Sequence, residues 1–162
     1  MINVEDYLYF VDEALEGMVT VVTELGDELA NRRLDLAGAN SPYAVLYHCL
    51  GVMEYWGGAI VAGRTIERHR DAEFRASGAV GVLVRRTRRA RRQLGADIAD
   101  LEPLAPPRGT PEPEDADLPL ARTQGGVLVH VYEELAQHRG QMEVTRDVLR
   151  APWARSSGSA GG

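Results

Sequence analysis

The chain contains no lysine, a single cysteine and no apolar run approaching the roughly 18 residues that a membrane span requires. The missing run excludes an integral helical membrane protein. Cys49 alone excludes an internal disulfide and a zinc site made only of cysteines, and it fits a reducing cytoplasm, the expected location. No secretory signal is expected either, because Met1-Ile2-Asn3-Val4-Glu5-Asp6 is acidic where such a segment begins basic. The net charge of −6 argues against general nucleic-acid binding, although basic patches exist. All 18 basic residues are arginine, which, with abundant Ala, Gly and Val, points to a GC-rich genome. What remains is one domain's worth of chain, 162 residues with 44% hydrophobic and 26% charged side chains, as expected of a globular protein.

Helical periodicity runs through most of that chain. Asn3 is a good N-cap for a first helix in which Leu8, Val11, Leu15, Met18, Val22, Leu25 and Leu29 alternate at spacings of three and four. Gly17 and Gly26 are expected to weaken this helix without breaking it. Ser41-Pro42 opens a second helix with the stripe Val45, Cys49, Val52, Trp56 and Ile60, and Gly63 is its expected stop. Residues 64–76 read as a polar loop. Ser77 is the expected cap of a third helix carrying Val80, Leu83, Val84, Leu94, Ile98 and Leu101. Within that helix Arg85, Arg86, Arg88, Arg89 and Arg92 project away from the apolar seam and Arg91 falls on it. Arg91 either snorkels at the edge or turns inward to pair a carboxylate or an anionic ligand. Six of the eight prolines lie between Pro103 and Pro119 among acidic residues, so 102–119 reads as an extended linker. The fourth helix starts between Leu120 and Gly126 and ends at Arg150, before Pro152. The expected architecture is all-α: a four-helix bundle over 1–151 of up-down type, with a crossover of the long third connection as the alternative and a flexible C-terminal tail at 152–162.

Polar residues on the apolar faces carry the chemistry. The fourth helix buries Val127, Val131, Leu135, Met142, Thr145 and Leu149, and Glu134 and His138 sit in the middle of that seam, one turn apart. An inward carboxylate is costly unless it is paired, protonated or bound to a metal. Taken alone, the pair reads first as a Glu–His hydrogen bond at the core edge and only second as two metal ligands. His48, on the shoulder of the second helix beside Ala44, Gly51, Tyr55 and Ala59, adds a third donor with small neighbours that leave room for an ion. Two histidines and a carboxylate leave a coordination position open, as catalytic zinc sites do. His130 lies one further turn back at the margin of the same face, where a surface position is the first expectation. Cys49 lies on the apolar stripe and reads as packing.

The stretches His48-Cys49-Leu50-Gly51-Val52-Met53-Glu54-Tyr55-Trp56, Arg70-Asp71-Ala72-Glu73-Phe74-Arg75 and Glu133-Glu134-Leu135-Ala136-Gln137-His138-Arg139-Gly140-Gln141 together resemble the DinB/YfiT-like superfamily. The resemblance covers the chain from the first helix to Arg150. It implies a four-helix bundle whose metal ligands are His48, Glu134 and His138. A glutamate at the middle position resembles the actinobacterial branch that holds mycothiol-dependent maleylpyruvate isomerase and related mycothiol S-transferases.

The isomerase carries a further C-terminal domain that this chain is expected to lack, so a stand-alone thiol transferase is the expectation. The resemblance thus implies a metal ion, zinc (Zn2+) or another divalent ion such as nickel (Ni2+), and mycothiol or a similar small thiol as co-substrate. That thiol would attack a small electrophile as a metal-bound thiolate, with no protein nucleophile. His130, Arg91 and Gln141 are candidates for contacts just outside the ligands or with substrate. A homodimer is expected, with no nucleic-acid or membrane partner. The alternatives are a non-enzymatic metal-binding bundle and a metal-assisted hydrolase.

Overall fold

The computed structural model describes residues 3–113, 115 and 118–151. The expected tail, 152–162, lies outside the described residues, as do Met1, Ile2 and the linker residues Glu114, Ala116 and Asp117. The described residues form α1 (Val4–Ala30), α2 (Pro42–Val52) continued by a π-helix (Met53–Val61), the short α3 (Arg70–Glu73), α4 (Val80–Asp97), a 3-10 turn (Pro119–Arg122) and α5 (Gln124–Arg150). They contain no strand, and the all-α expectation holds. None of their helices is long and apolar enough to cross a membrane.

The helix starts are set by side-chain caps where the sequence supplies them. Asn3 accepts from Asp6 N at 2.7 Å, Ser41 from Ala44 N at 3.2 Å and Thr123 from Gly126 N at 3.0 Å. α4 differs from expectation: it begins at Val80, and Ser77 does not cap it. Its first amide, Val80 N, instead donates to Asp27 Oδ1 of α1 at 2.8 Å, a cap supplied from 53 residues away. Gly26 does more than weaken α1. Its φ of 66° and ψ of 178° interrupt the helical geometry near the C-terminal end, in a backbone region that favours glycine.

Contacts between helices fix their directions. Tyr7 reaches Leu128, Phe10 packs on Tyr132 and Glu24 pairs with Arg146 and Arg150, so α1 and α5 are parallel. Asp12 pairs with Arg91 and Asp27 caps Val80, so α1 and α4 are antiparallel. His48 meets His138 and Trp56 meets His130, so α2 and α5 are antiparallel. The resulting order is up-down-down-up, a correction to the simple up-down expectation. Because α2 and α4 run the same way, the connection 62–79 must return along the bundle. Periodicity locates helices but carries no information about their direction.

The segment between α4 and α5 is no free spacer either. Gly109 N bonds Ile60 O at 2.9 Å, Glu112 N bonds the Tyr55 hydroxyl at 2.9 Å, and Gln124 holds Glu102 N and Pro106 O. It is a strap docked on the π-helix, and a Cβ at Gly109 would collide with Ala59 O. The π-helix also carries a close approach on its other side. The Gly57-Gly58 pair lets α4 come close, since a Cβ on Gly57 would strike Leu94. The expected stripe on the second helix is buried, but so is nearly everything else from Ser41 to Val61, as suits a helix packed on every side. Of the arginines expected to point away, Arg86 is not free: it lies over the Tyr47 ring at 3.9 Å and pairs with Glu54 at 3.3 Å.

Candidate metal centre

Antiparallel packing of α2 on α5 brings the three predicted ligands together. His48 is buried, at 3% exposure, while the side chains of Glu134 and His138 remain 28% and 23% exposed on the bundle's flank. His48 Nε2 lies 3.4 Å from Glu134 Oε2, and His138 Nε2 lies 3.4 Å from the same oxygen. One ligand atom from each residue falls within 4.8 Å of the others. Ligand bonds of roughly 2.0–2.1 Å in a tetrahedron put donor atoms about 3.4 Å apart, so two of the three edges already have the size of a zinc site.

The far side of each ring decides which nitrogen is available. His48 Nδ1 donates to Glu73 Oε2 at 2.8 Å, and His138 Nδ1 donates to Gln141 Oε1 at 2.8 Å. With Nδ1 carrying the hydrogen, a neutral ring points an Nε2 lone pair at a carboxylate oxygen that also has only lone pairs to offer. For His48, whose two nitrogens both face carboxylates, that arrangement requires a positive charge, either a proton on the ring or a cation among the three atoms. Without a metal, His48 takes the proton. Burial alone would lower the His48 pKa, but bonds to Glu134 and Glu73 overcome burial and raise it above 6.5. Glu134 is held well below the ordinary carboxylate range, first by His138 and then by His48. The donor set therefore fits a divalent ion of zinc type.

Glu73 was missed by sequence reasoning, which placed it in a polar loop. It is 5% exposed at the end of α3, and Arg68 grips it with Nε–Oε1 at 2.8 Å and Nη2–Oε2 at 2.9 Å. Burial would raise its pKa, but His48 and Arg68 hold it at about 2. The space over Gly51, expected to admit an ion, is filled by this carboxylate: a Cβ there would collide with Glu73 Oε1. Phe74 stacks on the His48 ring at 4.4 Å between centroids. The available signal was the stretch Arg70-Asp71-Ala72-Glu73-Phe74-Arg75, which carries part of the family resemblance but in which the sequence alone gives Glu73 no role.

The other candidates separate. Gln141 touches His138 as described. His130 lies at the margin, as expected, but is part-buried rather than freely exposed; its side chain is 17% exposed and meets Trp56 edge-on at 5.1 Å. It shares a cavity of about 140 Å³ with His48, Val52, Trp56, Arg68, Arg70, Asp115, Leu118 and Glu134. Arg91 lies elsewhere. It forks onto the half-exposed Asp12 of α1, with Nη2–Oδ2 at 2.7 Å, so it turns to a carboxylate but not to this centre. Cys49 is fully buried and burial pushes its thiol pKa well up, so it is packing, as expected.

The family model described as Mycothiol-S-transferase matches residues 6–151. No curated protein and no solved structure matches the chain.

Proposed function

The chain belongs to the mycothiol S-transferase family, and from that membership and the geometry of the centre we propose that it is a zinc-dependent thiol S-transferase. Its thiol is mycothiol or a similar low-molecular-weight thiol, and its second substrate is a small electrophile. The reading rests on one observation: two imidazole Nε2 atoms converge on Glu134 Oε2 while both Nδ1 atoms are committed to acceptors. A divalent ion held by His48, Glu134 and His138 would supply a Lewis-acid position at which a thiol ionises at neutral pH.

The chain's own residues do the rest. Glu73 and Gln141 keep the two rings facing the centre, and Glu134 stays ionised across the physiological range. Val52, Trp56 and Leu118 form the apolar part of the adjoining cavity, and Arg68, Arg70, Asp115 and His130 its polar part, where the two substrates meet. The sulfur's electron pair forms the new S–C bond, and the leaving group departs with the pair of the bond that breaks. The thiol's proton passes to the leaving group or to solvent. No protein nucleophile takes part, in keeping with the buried Cys49. We place this activity in the cytoplasm and in a homodimer; Tyr9 and Phe10, large and exposed on α1, support self-association.

The test is to measure metal content of the purified protein by mass spectrometry, then to assay metal-loaded and chelated protein with a thiol and a chromogenic electrophile. Conjugation that needs both metal and thiol is the expected result. Cleavage without thiol would favour the hydrolase, and metal binding with neither reaction the non-enzymatic bundle. Absence of bound metal after loading would refute the site.

A further inference from the structure

The return connection 62–79 places two neighbouring residues on the His48 ring, and neither belongs to the ligand set. Glu73 takes the Nδ1 hydrogen at 2.8 Å, which fixes rotation within the ring plane. Phe74 stacks at 4.4 Å with 26° between planes, which fixes the tilt. Glu73 stands outside the donor cluster, because it bonds Nδ1, on the far side of the ring from the Nε2 that faces Glu134.

A buried ion pair is poor evidence of stability, since apolar residues of similar volume often serve as well or better. The Glu73–Arg68 pair nevertheless occupies the core edge, and α2 is shaped to receive it. Gly51 lies three residues after His48 on the same helical face, and any side chain there would displace the carboxylate. Arg68 is in turn stacked 5.4 Å from the Tyr55 ring, so the clamp rests on the helix that carries the ligand.

We propose that Glu73, clamped by Arg68 and seated over Gly51, is the positioning residue that fixes His48 for the metal centre, and that it couples ion binding to the order of the 62–79 connection. The coupling is reciprocal: whatever Glu73 contributes to ion binding, the ion returns to the connection. For its ion the inference rests on the metal-site reading; the tautomer measurement below does not.

The experiment reads the His48 tautomer from imidazole 15N shifts in metal-free protein, at a pH where the ring is neutral. It also reads zinc affinity by chelator competition and amide exchange of residues 64–79 with and without zinc. Wild type should carry hydrogen on Nδ1. Glu73→Ala should move it toward Nε2, weaken zinc binding about 10–100-fold and abolish zinc-dependent protection of the connection. Glu73→Gln, whose amide oxygen can accept the same bond, should keep the Nδ1 hydrogen and bind zinc more tightly than Glu73→Ala. An Nε2 hydrogen in wild type, or zinc affinity of Glu73→Ala within twofold of wild type, would overturn the proposal. If Glu73→Ala fails to fold, the wild-type tautomer and Glu73→Gln decide. If wild type binds no zinc, the metal reading fails while the tautomer still judges Glu73.

Discussion

His48 and His138 present the same nitrogen to the same oxygen at the same 3.4 Å, yet they are held in opposite ways. His138 is part-exposed on α5, and its partners Glu134 and Gln141 are four and three residues away on its own helix. His48 is buried, and its partner Glu73 is charged, buried and 25 residues away in a connection. The α5 half is local and open to water. The α2 half is assembled by tertiary structure and depends on a glycine, an ion pair and a stacked ring. A local half tolerates substitution around it because water can replace a lost partner. The assembled half has no such substitute.

The largest effects break the two halves directly. His48→Ala and His138→Ala should each weaken zinc binding by more than about 100-fold, the upper end for a residue that only supports a ligand. His48→Ala should also lower the melting temperature of metal-free protein more than His138→Ala does, because it leaves the buried Glu73 without one of its two partners, whereas Glu134, which loses His138, is part-exposed to water. Equal melting temperatures in both variants, measured by calorimetry, would remove the asymmetry.

The glycines sharpen the contrast. Gly51→Ala should destabilise the protein by about 1–3 kcal/mol, since the Cβ meets the Glu73 carboxylate. Gly140→Ala on α5 meets nothing within 4 Å and should stabilise by up to about 1 kcal/mol. Urea unfolding of both variants checks the pair, and a neutral Gly51→Ala would mean that Glu73 is not seated as described.

Stability against pH follows from the same groups. Glu73 falls from its ordinary 4.5 to about 2 and Glu134 also falls, so their stabilisation is present above 4.5 and is lost as pH drops toward 2. His48 is raised above 6.5, so its stabilisation is full below 6.5 and is lost as pH rises through its raised value. Metal-free protein should therefore melt at lower temperature at pH 8.5 than at pH 6.5. Zinc should reverse that slope, since it binds the neutral rings. A melting temperature of metal-free protein that rises over this interval would contradict the assignment. The smallest effect is Gln141→Ala, expected to weaken zinc binding by less than about tenfold, because water can accept the His138 Nδ1 hydrogen.

The same contrast explains what could be read from the chain. Glu134 and His138 were legible as a four-residue spacing within an apolar seam, and His48 as a polar residue on a helix shoulder. Asn3 and Ser41 were legible as caps because a cap acts on an amide three residues away. Asp27 capping Val80, Glu73 bonding His48 and the docking of Gly109 on Ile60 were not, because each joins residues tens of positions apart. Helix direction was illegible for a different reason: an amphipathic stripe is the same read up or down. The π-helix holds Gly57-Gly58, but the close approach of Leu94 from α4 that Gly57 admits again joins residues far apart in sequence.

The central claim is that the two halves hold one ion whose open position takes a thiol. X-ray absorption at the zinc edge of loaded protein, recorded with and without mycothiol, addresses it in one measurement. The account predicts a first shell of two imidazole nitrogens and carboxylate oxygen, joined by a sulfur scatterer at about 2.3 Å once the thiol is added. A first shell without imidazole, or one that gains no sulfur at saturating thiol, would contradict it.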